Sequence, residues 1–143
     1  MTTKVVVANP GNKLSQVMEF FTLFKVQHIP VVENDQLIGI ISVNDLMSFL
    51  HSHLQNEALS EAYLDSHFSL ENIMTKNPVT FKPDDKMDDA LETLRDGVFQ
   101  AIPICENGVI KGILTNKDVV RAYFRERHQP NAGYSSDAPG FGV

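Results

Sequence analysis

The chain has 143 residues, a length that suits one compact domain burying about two-thirds of its unfolded surface. Its 12 Lys and Arg against 18 Asp and Glu leave a formal charge of −6, which argues against a face for a nucleic-acid backbone. The single cysteine, Cys105, excludes an internal disulfide framework, and no apolar run approaches the roughly 20 residues of a membrane span, so a cytoplasmic protein with no membrane partner is expected.

Val5-Val6-Val7 is a β-branched run expected to form a strand, stopped by the turn residues Asn9-Pro10-Gly11-Asn12. From Lys13 the period changes. Leu14, Val17, Met18 and Phe21 follow the spacing of an amphipathic helix. Phe20, Leu23 and Phe24 widen its apolar stripe, which fits either a deeply buried helix or one that also covers a partner subunit. Ile29-Pro30-Val31-Val32 reads as a strand in which Pro30 demands an edge or first position. Glu33-Asn34-Asp35-Gln36 reads as a hairpin turn, and Leu37-Ile38-Gly39-Ile40-Ile41 as the return strand. This run is almost wholly apolar, so burial of both faces is expected. Ser42-Val43-Asn44-Asp45 then opens a helix carrying Leu46, Phe49 and Leu50.

The design returns at an offset of 73 residues, without a gap. Ile102-Pro103 falls on Ile29-Pro30, Glu106-Asn107 on Glu33-Asn34, Gly112-Ile113 on Gly39-Ile40 and Asp118 on Asp45; residues 1–50 share 14 identities with the second copy. The chain is a tandem duplication. Each copy is expected to run strand, helix, strand, strand, helix, an α/β (α+β) fold of two repeats packed as one pseudo-symmetric module. The expected division is 1–50 for the first repeat, 51–73 for a helical linker, 74–124 for the second repeat and 125–143 for a disordered tail. In the linker, Leu54, Ala58, Ala62 and Tyr63 among acidic residues predict continued helix too polar for a core. Ser69 is expected to cap a short turn through Ile73. The chain starts inside the first repeat, which predicts no signal peptide.

His51 and His53 stand two apart and share no helix face, so no metal site is expected. No nucleophile elbow or P-loop appears, so no enzyme and no catalytic residues are expected. The notable chemistry is Ser42-x-x-Asp45 and its repeat Thr115-x-x-Asp118. A hydroxyl residue followed three later by an acid is a capping box, which satisfies orphan N–H groups with no ligand at all. The same element also fits a nucleotide. A helix N-terminus favours a phosphate beside the hydroxyl, the carboxylate accepts from ribose hydroxyls, and the Ile-Pro step with the first strand offers apolar walls for a base.

The paired strand-turn-strand with Ser/Thr-x-x-Asp, together with the Ile-Met-Thr-x-Asn-Pro-Val-Thr run at Ile73–Thr80, resembles the cystathionine β-synthase (CBS) domain. Two copies resemble a CBS pair, or Bateman module, over residues 1 to about 124. The resemblance implies a regulatory module binding AMP, ADP, ATP or S-adenosylmethionine, with no cofactor required. It places ribose on Asp45 and Asp118, phosphate on Ser42 and Thr115, and adenine against Ile29-Pro30 and Ile102-Pro103. Val79 and Thr80 face the base in the second copy, Val6 and Val7 in the first. Lys117 and Arg121 stand where the first copy has Asn44 and Ser48. They predict a second site that holds phosphate better, unless they are only solvated helix residues. The resemblance also implies a homodimer formed through helices and an effector on another polypeptide. A ligand-free interaction module, its motif aspartates serving only as helix caps, is the competing reading.

Overall fold

The computed structural model describes residues 4–53, 60–96 and 100–128. The elements are α1 (Leu14–Phe24), β1 (His28–Glu33), β2 (Gln36–Ser42), α2 (Val43–His53), α3 (Glu61–His67), a 3-10 turn (Leu70–Asn72), β3 (Thr75–Lys76), α4 (Met87–Arg95), β4 (Ala101–Glu106), β5 (Val109–Thr115) and α5 (Asn116–His128). They form two compact units. One spans Val6–Pro78; the other gathers the described residues from Val79 onward, with Lys4 and Val5.

The duplication is reproduced down to its irregularities. β1 and β2 pair antiparallel with His28 opposite Ser42, and β4 and β5 pair with Ala101 opposite Thr115. Each hairpin turns through two residues of positive φ, Asn34 (51°) and Asp35 (63°) in one, Asn107 (53°) and Gly108 (81°) in the other. That backbone matches the twist of the flanking strands. The register slips at the same place in both, leaving Ile38 and Lys111 unpaired as bulges.

The first strand of each copy is reduced. Val5–Val7 forms no ladder; its contact with β1 is one parallel bridge from Ala8 to Val31, mirrored by Phe81 to Ile104. Ala8 donates to the Pro30 carbonyl and accepts from Val32, as Phe81 does with Pro103 and Cys105. This explains how proline sits inside a strand. The N and C=O of one residue point to the same side, so the missing N–H faces the bridge, which uses only the carbonyl.

In the first unit Leu14, Val17 and Phe21 of α1 pack with Ile29, Val31, Ile41 and Leu46. Leu64 and Leu70 join them, against the expectation that this stretch is too polar for a core. α3 buries only Leu64 fully, with Tyr63 and Asp65 half-buried and the rest exposed, a signal too weak for periodicity. Its tie to α1 is polar: the backbone amide and hydroxyl of Ser15 donate to the two Asp65 oxygens at 2.9 and 2.6 Å. Ser69 stands at the expected N-cap position of the 3-10 turn, where its amide donates to Asn72 Oδ1 at 2.7 Å. Met74 is buried in this core, and β3 adds to the β2 edge opposite Gly39 and Ile40. The segment opening the second copy therefore packs with the first unit, which extends to Pro78.

The second unit centres on Ala90, Leu94, Ile102, Ile104 and Leu114, with Phe81, Met87 and Val119 packed against them. The return strands are only partly buried, with Gly39 and Ile41 inside in one and Gly112, Ile113 and Leu114 in the other. α5 continues to His128, past the expected start of the tail at 125, and the rest of that tail lies outside the described residues, as do Leu54 and Ala58. No described helix is long and apolar enough to cross a membrane.

Candidate functional site

Each β2-type strand runs straight into its helix, and the junction is closed by a reciprocal cap. Ser42 donates its amide to Asp45 Oδ2 at 3.1 Å, and its hydroxyl oxygen accepts from the Asp45 amide at 2.9 Å. Thr115 and Asp118 repeat this at 2.9 and 3.3 Å, and here the Thr115 hydroxyl also donates to Asp118 Oδ2 at 3.1 Å. Capping and ligand binding are therefore compatible. The cap engages one carboxylate oxygen and orients the group, while Oδ1 keeps its lone pairs for an incoming donor. In the first copy the Ser42 hydroxyl is an acceptor in the cap and retains its own proton to donate. All four side chains are half-buried. The first amide of each helix is tied back to the residue just before the hairpin, Val43 to the Gln27 carbonyl at 2.9 Å and Asn116 to the Gln100 carbonyl at 3.3 Å.

The surroundings divide the expected residues. Ile29, Pro30, Ile102 and Pro103 are fully buried, so their side chains form core behind the strand instead of an open surface. Val7, Val79 and Thr80 are exposed and Val6 half-buried. Because the Ala8 and Phe81 bridges are parallel, the preceding residues run toward the end of the hairpin where His28 meets Ser42 and Ala101 meets Thr115. The exposed apolar surface and the cap thus gather at one end of each hairpin.

Lys117 and Arg121 are exposed on α5. With Asn116, Val120 and Phe124 they line a shallow groove of about 470 Å³. Val119, on another side of the same helix, packs against the core.

His28 was not singled out by sequence reasoning. It is half-buried, and that burial holds its imidazole below the usual 6.5, partly opposed by the Asp45 carboxylate. The available signal was the alignment of the two copies, which sets His28 against Ala101. Cys105 lies inside β4, and burial pushes its thiol up, which suits packing better than reactivity. Among the described residues no group of three or more His, Cys, Asp or Glu is arranged to hold a metal.

A family profile for the CBS domain matches residues 1–52 and 70–125. The uncharacterized protein MJ1225 of Methanocaldococcus jannaschii is 33% identical over 130 residues, covering 87% of this chain and 45% of that protein. Its crystal structure gives a TM-score of 0.75 at 30% identity, over 87% of this chain and 45% of that one. Inosine-5′-monophosphate dehydrogenase of Aquifex aeolicus is 27% identical over 135 residues, 92% of this chain and 24% of that enzyme. The chain thus spans less than half the length of these two relatives. The crystal structure of CBSX2 in complex with AMP gives a TM-score of 0.73 at 25% identity, covering 90% of this chain and 95% of that one; CBSX2 is a protein of Arabidopsis thaliana. The profile falls on both copies, and the duplicated hairpin-and-cap geometry accounts for it: the chain belongs to the CBS-domain family, as a tandem pair of these domains.

Proposed function

We propose that this CBS pair is a sensor that binds an adenosine ligand, with AMP the first candidate, and reports it through a change of shape or of partner affinity. The observation that carries the reading is the pair of caps, each holding an aspartate with one oxygen engaged and one available beside a hydroxyl. The AMP complex of CBSX2, similar over nearly the whole chain, supports AMP over ligands of other chemistry. ADP, ATP and S-adenosylmethionine are the alternatives within the same class.

In this reading Asp45 and Asp118 accept from ribose hydroxyls, and Ser42 and Thr115 meet phosphate. Val6, Val7, Val79 and Thr80 offer the base a surface. The buried Ile-Pro steps support it from behind. Lys117 and Arg121 strengthen phosphate binding at the second site by charge-assisted hydrogen bonds. The protein acts without catalysis, in the cytoplasm, as a homodimer controlling an effector on another polypeptide. A ligand can drive such a change only by its differential affinity for two states.

The competing reading, a ligand-free interaction module, is favoured by Leu23 and Phe24, 63% and 53% exposed on α1. Thermal unfolding with AMP, ADP, ATP, S-adenosylmethionine and GMP separates the two. The sensor predicts an upward shift with an adenosine ligand, absent with GMP, reduced in Asp118→Ala and lost when Asp45 and Asp118 are both replaced; the interaction module predicts none.

A further inference from the structure

The two candidate sites differ at a position facing the cap. β1 begins with His28, where β4 has Ala101. His28 is the cross-strand partner of Ser42, and directly opposed residues stand on one face of the sheet with Cβ atoms about 5 Å apart. The imidazole therefore stands beside the hydroxyl assigned to phosphate. The groups around it come from each neighbouring element. β2 brings the Ser42 hydroxyl, α2 brings the Asp45 carboxylate, and Val5–Val7 carries nothing titratable. Asp45 is the charged group that acts on the ring among the described residues. The first site also lacks the cations of the second, having Asn44 and Ser48 where Lys117 and Arg121 stand.

We propose that His28 makes the Ser42/Asp45 site proton-linked: an anion bound at Ser42 draws one solvent proton onto the imidazole, so affinity there rises as pH falls through neutrality. The Thr115/Asp118 site, with Ala101 and fixed cations, lacks this dependence. The inference rests on the nucleotide reading of the caps. Its physical basis is charge balance. Burial and a single carboxylate leave the ring neutral near pH 7, and a phosphate beside that carboxylate adds the second negative charge that favours imidazolium. The pair would then answer to ligand and to pH at one site and to ligand alone at the other.

Calorimetric titration of the full chain with AMP, in buffers of different ionisation enthalpy, counts the protons taken up. In an Asp118→Ala background, which isolates the first site, uptake is expected and should fall in His28→Gln. Each unit by which the anion raises the imidazole pKa is about a tenfold gain in affinity on the acid side. Protonation of AMP itself contributes equally to both proteins and cancels in the comparison. NMR titration of the His28 ring, with and without AMP or inorganic phosphate, gives an independent reading. The ring should titrate higher with either anion and lower in Asp45→Asn. If AMP binds but uptake is the same in His28→Gln, or the ring ignores both anions, the proton link is overturned and the sensor reading survives. If AMP fails to bind yet phosphate raises the ring's titration, the sensor reading fails and the proton link stands.

Discussion

Asp45 and Asp118 each engage one carboxylate oxygen in the cap, and the ribose contact proposed for them falls on the other, so the two roles can be tested apart by substitution. Replacing either by alanine removes a cap, which costs about 1 kcal/mol of stability. In the sensor it also removes the ribose acceptor, and we expect at least a tenfold loss of AMP affinity, equivalent to about 1.4 kcal/mol. Urea unfolding and calorimetric titration measure the two losses separately; a stability loss with unchanged affinity would leave the aspartates as caps alone. His28 makes a different prediction. Its folded-state pKa lies below the unfolded value, so between the two the unfolded chain binds more protons and stability falls with pH. The loss begins as pH drops through about 6.5 and stops below the folded value. Urea unfolding from pH 8 to 5.5 should therefore show a shallower decline in His28→Gln than in the parent. Parallel curves would contradict this.

Two contacts decide how the elements of the first unit hold together. Asp65 on α3 accepts from both donors of Ser15 in the first turn of α1, and those bonds hold its carboxyl below the usual range. Its contribution is present above the unfolded value of 3.8 and is lost as pH falls through the folded one. Solvent reaches this pair, so Asp65→Asn should cost no more than about 1 kcal/mol in chemical denaturation at pH 7. Gly39 is the tighter constraint. A Cβ there would lie 2.7 Å from Met74 Sδ and 2.9 Å from the Thr75 carbonyl oxygen, and that backbone cannot swing aside as a side-chain end can. Gly39→Ala should destabilise by about 1–3 kcal/mol and expose the β3 amides to hydrogen exchange; unchanged protection would show that β3 is not held by this approach. The same elements show what the sequence made legible. The hairpins were readable because Asn34-Asp35 and Asn107-Gly108 announce their turns locally, and the helices because Leu14, Val17 and Phe21 keep their period. Leu64, Leu70 and β3 were not, since each contributes one or two residues whose burial depends on a partner distant in sequence. The caps were visible as Ser/Thr-x-x-Asp. The full burial of the Ile-Pro steps was not, because an apolar residue reads alike whether it forms core or lines a pocket.

At the scale of the molecule, the chain is two copies of one design with unequal equipment. The copies share strand register, bulge, parallel bridge and cap. They differ in His28 against Ala101 and in Asn44 and Ser48 against Lys117 and Arg121. A shared fold with divergent charges around two similar caps suits a device reading one ligand class under two sets of conditions. Exposed Leu23 and Phe24 on α1, and Met47 and Val120 at equivalent positions of α2 and α5, fit a homodimer. Sedimentation should report a dimer that Leu23→Glu with Phe24→Glu weakens, and a parent chain that stays monomeric at high concentration would refute it. The central claim is that the paired caps hold an adenosine ligand. Its most direct test is calorimetric titration of AMP into the parent chain and into the double variant Asp45→Asn, Asp118→Asn. The account predicts saturable binding to the parent, none of comparable strength with GMP, and loss of AMP binding in the double variant. Absence of AMP binding to the parent, or equal binding by the double variant, would contradict it.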